Sequence, residues 1–266
     1  MTRPPSRYRL LAAFSVALAL AACASKEPAA PAIPAPLPPP TPQEASPQFR
    51  AQLHTDLGAG YYERGQMEIA IEELNDAIKL DPNSARPYNI LGLIYAVLGE
   101  EARAQQNFQR ALSLAPQDPE IRQNWGWYLC THGRAQESIA EFEQAFRNPL
   151  YRTPEIPLIN AGNCSAAIGE LKNADTYFRR ALTVSPNNAA ATYGLALLAY
   201  EDGRLPDARN WMKAMQQTNL PPEALYLGMC IERKLGDRQA EVSYIAQLRN
   251  RYPDAAETRA IAGACK

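Results

Sequence analysis

The side chains in this sequence that are best suited to chemistry are its cysteines and histidines. Five cysteines and two histidines are spread along the chain, at Cys23, Cys130, Cys164, Cys230, Cys265, His54 and His132. A zinc site needs Cys and His ligands at close, regular spacing. Because no such cluster exists here, we predict no metal site and no cofactor.

Cys164 with His132 as its base is the enzymatic hypothesis that these residues allow. Catalysis by a cysteine needs a base in contact with the thiol and a third group that orients the base. No further residue in the sequence points to such a site. We therefore predict that the protein is not an enzyme and takes no small-molecule substrate.

The charges of the chain are balanced, since 27 Lys and Arg against 28 Asp and Glu give a formal net charge of −1. Nucleic-acid binding needs a basic surface, so we expect no nucleic-acid partner. A membrane-spanning helix needs an uninterrupted run of about 18 apolar residues. The sequence lacks such a run, and we predict no spanning helix in the mature protein.

The first 22 residues have the composition of a secretory signal peptide. Three arginines and no acidic residue precede an apolar stretch at residues 10–22, which only Ser15 interrupts. Such a stretch is too short to span a bilayer and is typical of an export signal. We therefore predict that residues 1–22 form a signal peptide that is removed on export.

The signal peptide is followed by a cysteine, in the sequence Leu20-Ala21-Ala22-Cys23. This resembles the bacterial lipobox, whose cysteine is acylated and becomes the first residue of the mature protein. The alternative is an ordinary signal peptide with a chance cysteine. The next residue is Ala24 rather than Asp, and by resemblance to lipoproteins of diderm bacteria this implies sorting to the outer membrane. The expectation is a lipid-anchored protein that faces the periplasm.

Proline dominates the segment after Cys23, with nine prolines between residues 24 and 48. Proline fixes φ and removes a backbone donor, so the segment is expected to be an extended, semi-rigid spacer. At about 3.1 Å per residue it can reach roughly 70–80 Å. We predict that residues 23–50 comprise the lipidated cysteine and a disordered tether.

The remaining sequence is periodic. Glycines recur at spacings of 34, 34, 36, 34 and 33 residues, at Gly65, Gly99, Gly133, Gly169, Gly203 and Gly236. Most of these glycines are followed by a small residue five positions later, a bulky residue nine positions later and an alanine twelve positions later. Before the second glycine, Tyr88, Leu91 and Tyr95 form a stripe with helical spacing. The sequence therefore predicts helices in a repeated unit.

The pattern resembles the tetratricopeptide repeat over residues 51–256. The resemblance implies an all-α, right-handed superhelix of about six helix-turn-helix repeats, with 12 helices and a C-terminal tail. The repeats are predicted at 51–84, 85–118, 119–152, 155–188, 189–222 and 223–256, and a frayed tail at 257–266. The mid-repeat glycine suits the end of each first helix, where a positive φ is needed. The sixth repeat has Arg233 where an aromatic residue is usual.

Stacked repeats create an extended concave surface, which suits the binding of peptides or protein segments. The resemblance implies that inward positions of the first helices line it. The predicted groove residues are Tyr62, Arg86, Asn89, Leu93, Trp127, Asn163, Tyr193 and Tyr200. The clamp by which chaperone-binding members hold a terminal carboxylate is missing. Aromatic groove residues either anchor a partner or support the neighbouring repeat, and the sequence leaves both open.

Four cysteines remain after Cys23, and export would place them in an oxidising compartment. Cys130 and Cys164 fall on first helices of neighbouring repeats, so we predict a disulfide that locks repeat three to repeat four. Closing a loop of about 35 residues stabilises by roughly 3–4 kcal/mol. The alternative is two buried thiols that pack as small hydrophobic side chains. Cys230 and Cys265 remain unassigned.

Some segments are more distinctive than the general repeat, namely residues 124–130, 148–151 with 153–154, 160–165 and 228–252. Together they resemble the PilF/PilW family of type IV pilus biogenesis lipoproteins, the cysteine pair included. The resemblance implies a pilotin-like adaptor that binds the outer-membrane secretin or its precursor, with other pilus assembly proteins as further partners. It would promote secretin localisation and multimerisation. The alternative is a generic outer-membrane-anchored scaffold for another cell-envelope complex.

Overall fold

The structure is a computed structural model that describes residues 46–215, 219–263 and 265. Within these residues the chain forms thirteen α-helices and no strand. They are α1 Pro47–Glu63, α2 Met67–Leu80, α3 Ala85–Val97, α4 Glu101–Leu114, α5 Pro119–Thr131, α6 Ala135–Phe146, α7 Glu155–Ala167, α8 Leu171–Val184, α9 Ala189–Glu201, α10 Leu205–Met215, α11 Pro222–Leu235, α12 Arg238–Arg251 and α13 Ala256–Arg259. The predicted signal peptide, Cys23 and most of the tether lie outside the described residues. None of the described helices has both the length and the apolarity needed to cross a bilayer.

The helices pack in six consecutive pairs, α1 with α2 through α11 with α12. Each first helix also contacts the next first helix, and each second helix contacts the first helix of the following pair. Among the described residues, the backbones of successive second helices stand farther apart, although long side chains reach across, as Arg180 of α8 does to Glu143 of α6. The first helices therefore lie side by side, and we call their solvent-facing side the inner face. This arrangement confirms the predicted all-α tetratricopeptide repeat fold.

The close approach within each pair depends on a small residue opposite a bulky one. Phe108 of α4 is fully buried, and its ring lies against Gly92 of α3, where an added Cβ would stand 2.8 Å from Phe108 Cδ1. Gly126 and Phe142 make the same contact in the third pair, with a corresponding distance of 2.8 Å. A packed interior leaves no room for that extra atom. The recurring small and bulky residues of the sequence are therefore one packing contact, repeated.

The turn within each pair has the backbone conformation that the glycine spacing predicts. All six repeat glycines have φ between 73° and 78°. At Gly99 this conformation lets the chain reverse, and the amide of Glu100 then donates to the carbonyl of Tyr95 at 2.8 Å. A residue with a Cβ is strained at such a φ, so the glycine period marks where each first helix ends.

The first helix begins earlier than the sequence indicated. Ser46 caps α1, because its Oγ accepts a hydrogen bond from the amide of Phe49 at 3.1 Å, and Pro47 occupies the first turn. Proline is favourable in a first helical turn, where its missing N–H costs nothing. The predicted tether boundary at residue 50 is therefore wrong, since residues 47–50 belong to α1.

The predicted frayed tail instead folds back on the last pair. Cys265 forms a disulfide with Cys230 of α11, and Ile261 is buried in the core of the last repeats. The guanidinium of Arg233 donates to the carbonyl oxygen of Ile261 at 2.9 Å and to that of Gly263 at 3.0 Å, and its Nε lies 2.7 Å from Glu241 Oε1. The departure from the repeat pattern at Arg233 thus serves to hold the tail.

We expect Gly92→Ala to destabilise the protein by about 1–3 kcal/mol, because the new methyl group overlaps the fully enclosed Phe108 ring. Gly60→Ala is the matched control in α1, since its Cβ would meet only the Arg64 guanidinium at 3.6 Å. Replacing a helical glycine by alanine without a clash stabilises by about 0.5–1 kcal/mol. Urea denaturation followed by circular dichroism measures both, and equal midpoints for the two variants would contradict the packing account.

Candidate protein-binding face

The inner face displays most, but not all, of the predicted groove residues. Arg86, Trp127 and Asn163 are exposed there, and Tyr62, Leu93 and Tyr193 are half-buried. Trp127 retains 37% of its surface, which is unusual for a tryptophan and makes it the largest accessible ring on this face. Large aromatic side chains that bury on binding are frequent energetic centres of protein interfaces.

Two predicted groove residues, Asn89 and Tyr200, are not available to a partner, because they are buried, with 2% and 5% of their surface exposed. The side-chain amide of Asn124 donates to Asn89 Oδ1 at 3.3 Å, which joins repeats two and three. Tyr200 packs in the core of the last repeats, with the ammonium of Lys234 4.2 Å from its ring centroid. Tyr200 therefore supports the neighbouring repeat, the role that the sequence left open for groove aromatics.

The charges on the inner face are neutralised at one end and sparse in the middle. Arg86 of α3 forms an ion pair with Asp56 of α1. The charge of Arg86 is therefore neutralised by the neighbouring repeat. Burial raises the pKa of Tyr62. Burial, and to a smaller extent the negative charges of nearby glutamates, raises the pKa of Tyr193. Both phenols are protonated at neutral pH and can donate hydrogen bonds to a partner.

Between these ends the inner face is mainly apolar or uncharged. Its members in repeats two to five include Leu93, Trp127, Ile156, Asn163 and Leu197, with Glu120 as an exposed acid. A surface of this kind fits a polypeptide segment that contributes apolar side chains and backbone polar groups. It does not fit a highly charged segment, whose ions would lose water without gaining a counter-charge.

Repeats three and four are fastened together beneath this face. The Sγ atoms of Cys130 and Cys164 are joined at 2.03 Å, with a Cα–Cα distance of 6.0 Å. Arg180 of α8 forms an ion pair with Glu143 of α6 across the same junction. The hydrogen bonds from Arg180 hold the pKa of Glu143 below its ordinary value, despite partial burial. The disulfide thus joins the first helices of these two repeats, and the ion pair joins their second helices.

The disulfide leaves the enzymatic hypothesis without its nucleophile. Cys164 is fully buried and has no free thiol. His132 turns its Nδ1 toward the carbonyl oxygen of Tyr128, 2.8 Å away, and its ring stacks on that tyrosine. Within the part of the chain that the structure describes, no three Cys, His, Asp or Glu residues are grouped to hold a metal ion.

The junction of repeats three and four also contains the loop that makes this unit two residues longer. Asn148 organises the loop, since its Oδ1 accepts from the amide of Leu150 at 2.9 Å and its Nδ2 donates to the carbonyl of Gln117 at 3.1 Å. Leu150 is almost fully exposed at the tip. The loop is therefore ordered by hydrogen bonds while it presents an apolar side chain.

Sequence reasoning missed one further covalent link, the disulfide between Cys230 and Cys265. An even number of cysteines remains once Cys23 is set aside, and this was the available signal. The spacing did not identify the pair, because the contact depends on the tail folding back against α11. The two bonded residues are 35 positions apart, close to one repeat length.

Known proteins resemble the chain at two levels. Family models described as tetratricopeptide repeat or TPR repeat match residues 58–99, 85–118, 158–224 and 224–255. The type IV pilus assembly protein PilF of Pseudomonas aeruginosa is 26% identical over 205 residues, which cover 77% of this chain and 81% of PilF. The more specific likeness therefore extends over most of the repeat array.

Two solved structures share this likeness. The crystal structure of PilW, described as a widely conserved type IV pilus biogenesis factor, is 33% identical with a TM-score of 0.73 and aligns with 80% of this chain and 98% of PilW. A structure of Pseudomonas aeruginosa PilF is 25% identical with a TM-score of 0.70 and aligns with 80% of this chain and 96% of that one.

We expect Tyr200→Phe to stabilise the protein by about 1 kcal/mol, because it removes a buried hydroxyl that lacks a hydrogen-bond partner. Tyr128→Phe is the matched control, since the Tyr128 hydroxyl donates to the carbonyl of Glu101 at 3.2 Å. That substitution should cost about 0.5–1.5 kcal/mol. Thermal unfolding separates the two variants, and a loss of stability in Tyr200→Phe would show that its hydroxyl is satisfied in solution.

We expect Arg180→Gln to destabilise the protein by about 0.5–1 kcal/mol at pH 7, since the ion pair is partly exposed. A carboxylate with a depressed folded pKa contributes stability above its unfolded pKa, about 4.3 for Glu, and loses it as the pH falls through the folded pKa. The difference in stability between the variant and the parent protein should therefore shrink as the pH falls from 5 to 3. Melting temperatures across this range measure it, and a constant difference would contradict the assignment.

Proposed function

Because the chain belongs to the PilF/PilW family of type IV pilus tetratricopeptide repeat proteins, we propose that it is a pilotin-like adaptor for the outer-membrane secretin. It binds the secretin or its precursor and promotes secretin localisation and multimerisation, and so pilus assembly. The observation that carries this proposal is the match to PilW along almost the whole length of that protein. PilW is a type IV pilus biogenesis factor and PilF is a type IV pilus assembly protein.

The inner face supports a binding role for this adaptor. Its central residues are apolar or uncharged, and the disulfide and ion pair at the junction of repeats three and four hold them in place. A preorganised surface loses less conformational entropy when a partner binds. Trp127 is the anchor that we assign to this site, with Leu93 and Tyr193 on either side along the array.

Attachment to the membrane is the second part of the proposal. Acylation of Cys23 would anchor the protein to the outer membrane on its periplasmic side, and the proline-rich tether would set its reach. A single acyl chain gives only marginal attachment, whereas two lipid signals give stable anchoring. An adaptor held in this way would encounter secretin subunits close to the membrane in which they assemble.

A generic envelope scaffold is the alternative, because the same fold and anchor would serve another complex. The two functions differ in their effect on the secretin ring. We expect deletion of the gene to abolish the high-mass secretin band on gels of unboiled membranes, together with twitching motility. An unchanged ring in the deletion strain would refute the adaptor role and favour the scaffold.

Two point variants test the parts of the mechanism. Trp127→Ala should lower the amount of secretin multimer several-fold while the protein stays folded with a modestly lower melting temperature, because 37% of the side chain is free to contact a partner and the rest packs on its own array. Val242→Ala, an exposed apolar residue of the second helix α12, is the matched control and should leave the multimer intact. Equal multimer levels in both variants would remove Trp127 from the binding site.

Cys23→Ala should release the protein from the outer-membrane fraction, because no described helix can replace the lipid as an anchor. Fractionation of cells that express the variant measures this. Continued recovery with the outer membrane would count against lipid anchoring through Cys23, whatever the outcome of the secretin assay.

A further inference from the structure

The two disulfides differ in what holds their sulfur atoms together. Their partners are 34 and 35 residues apart, so the entropy of loop closure stabilises both bonds almost equally. Cys130 and Cys164 lie within α5 and α7, two packed helices that keep the sulfur atoms adjacent even without the bond. Cys265 instead follows α13, where the described residues form turns rather than helix. The second bond therefore joins a helix to a segment that can move away once the bond opens.

A positive charge lies beside the bond at the end of the array. Nη1 of Arg233 is 3.7 Å from Cys265 Sγ, and Cys265 is only partly buried. Arg233 and Arg238 share the carboxylate of Glu241, at 2.7 and 3.5 Å, so Glu241 does not fully neutralise the charge of Arg233. A guanidinium next to a sulfur atom stabilises a thiolate there. It also attracts a thiolate that approaches from solvent.

The bond in the middle of the array has less favourable surroundings for a thiolate. Cys164 is fully buried and belongs to a core cluster with Phe142 and Ala161. The polar neighbour of Cys164 Sγ is the neutral hydroxyl of Ser138, 3.4 Å away. Apolar burial disfavours the thiolate form of a cysteine. An attacking or leaving thiolate is therefore stabilised less at Cys164 than beside Arg233.

We propose that the disulfide between Cys230 and Cys265 is a site of thiol–disulfide exchange with a dithiol reductant, while the bond between Cys130 and Cys164 is structural. Because Cys230 is only 2% exposed, the reductant attacks Cys265 Sγ as a thiolate. A mixed disulfide forms at Cys265, and Cys230 leaves as a thiolate that takes a proton from solvent.

The second thiol of the reductant completes the reaction. As a thiolate it attacks the reductant's own sulfur in the mixed disulfide, and Cys265 leaves as a thiolate beside Arg233. The reductant becomes a disulfide and has supplied two electrons, and the protein holds two reduced cysteines. Leaving-group thiols that are stabilised as thiolates depart faster, so Arg233 favours this step as well as the first attack.

Opening the bond leaves the tail with non-covalent contacts alone. These are the packing of Ile261 in the last core cluster and the hydrogen bonds from Arg233 to the carbonyl oxygens of Ile261 and Gly263. Water competes for such hydrogen bonds at a surface, and the ordered segment regains conformational entropy when it detaches. We therefore expect reduction to release the tail from α11.

The tail also reaches the inner face. Burial raises the pKa of Tyr193, and Glu257 of α13 lies close enough to add to this effect. Release of the tail would therefore remove a carboxylate from the C-terminal end of the inner face. The exchange reaction itself does not depend on which partner the inner face binds.

The test follows both disulfides in the same molecule. The purified full chain is incubated at increasing ratios of reduced to oxidised dithiothreitol, free thiols are trapped with N-ethylmaleimide, and the cysteine peptides are quantified by mass spectrometry. Cys230 and Cys265 should become labelled at a ratio at least tenfold lower than Cys130 and Cys164. Simultaneous opening of the two bonds, or earlier opening of the central one, would overturn the proposal.

Hydrogen exchange shows whether the tail moves when its bond opens. In the partly reduced protein, peptides that cover residues 256–265 should lose protection while those of α5 to α8 keep theirs. A Cys265→Ser variant should show the same loss without reductant and serves as the reference for the open state. Unchanged protection of the tail in both samples would show that the bond does not hold it, against the proposal.

Two variants of Arg233 test the role of its charge. Arg233→Gln and Arg233→Lys both lose the forked hydrogen bonds to the tail, but only the lysine keeps a positive charge. The rate at which dithiothreitol opens the terminal bond, relative to the central bond of the same molecule, should be several-fold higher for Arg233→Lys. Equal relative rates would contradict the electrostatic basis of the proposal.

Discussion

The two helices of a pair approach closely because a small residue of the first helix, usually glycine, leaves room for a bulky side chain of the second helix. The rings of Phe108 and Phe142 occupy the space that a Cβ at Gly92 and Gly126 would need. Where the first helix has Ala196 instead of glycine, the second helix has Met212, a flexible chain in place of a rigid ring. Flexible thioether side chains fill irregular gaps. A substitution at this contact is therefore tolerated on one helix only when the facing residue of the other helix compensates for it. The other contacts of the array depend on the helix spacing that this contact sets.

A constraint that is repeated six times is visible in the sequence, which explains why the helix pairs could be predicted. The glycine period identified the end of each first helix, and the structure places all six glycines in the left-handed region. The sequence did not show in the same way how deeply each inner-face side chain is buried. Trp127 and Tyr200 are both aromatic residues near the ends of first helices, yet one is exposed and the other buried. The two residues occupy different positions in the repeat, six residues before Gly133 and three before Gly203, and Lys234 of the next repeat lies over the Tyr200 ring.

The two ends of the array depart furthest from what the period predicts, because their contacts are made only once. Arg233 binds carbonyl oxygens of the tail, and a backbone acceptor carries no signature in the side-chain sequence. Ser46 and Pro47 start α1 inside a segment whose composition is otherwise that of a spacer. Local capping chemistry thus outweighs the average composition of the region, and the repeat pattern gives no information about either end.

The two disulfides divide the array into parts with different mechanical properties. Both lie in repeats three to six, with partners 34 and 35 residues apart, and no cysteine is present between residues 24 and 129. Tension that enters through the N-terminus meets only non-covalent contacts in the first two repeats, where each repeat is held by its neighbours alone. Between Cys130 and Cys164 the bond removes 34 residues from the length that pulling can extend. Under load the molecule would therefore lengthen outside the bridged loops, at its first two repeats and between Cys164 and Cys230, while the segment from Cys130 to Cys164 kept its length.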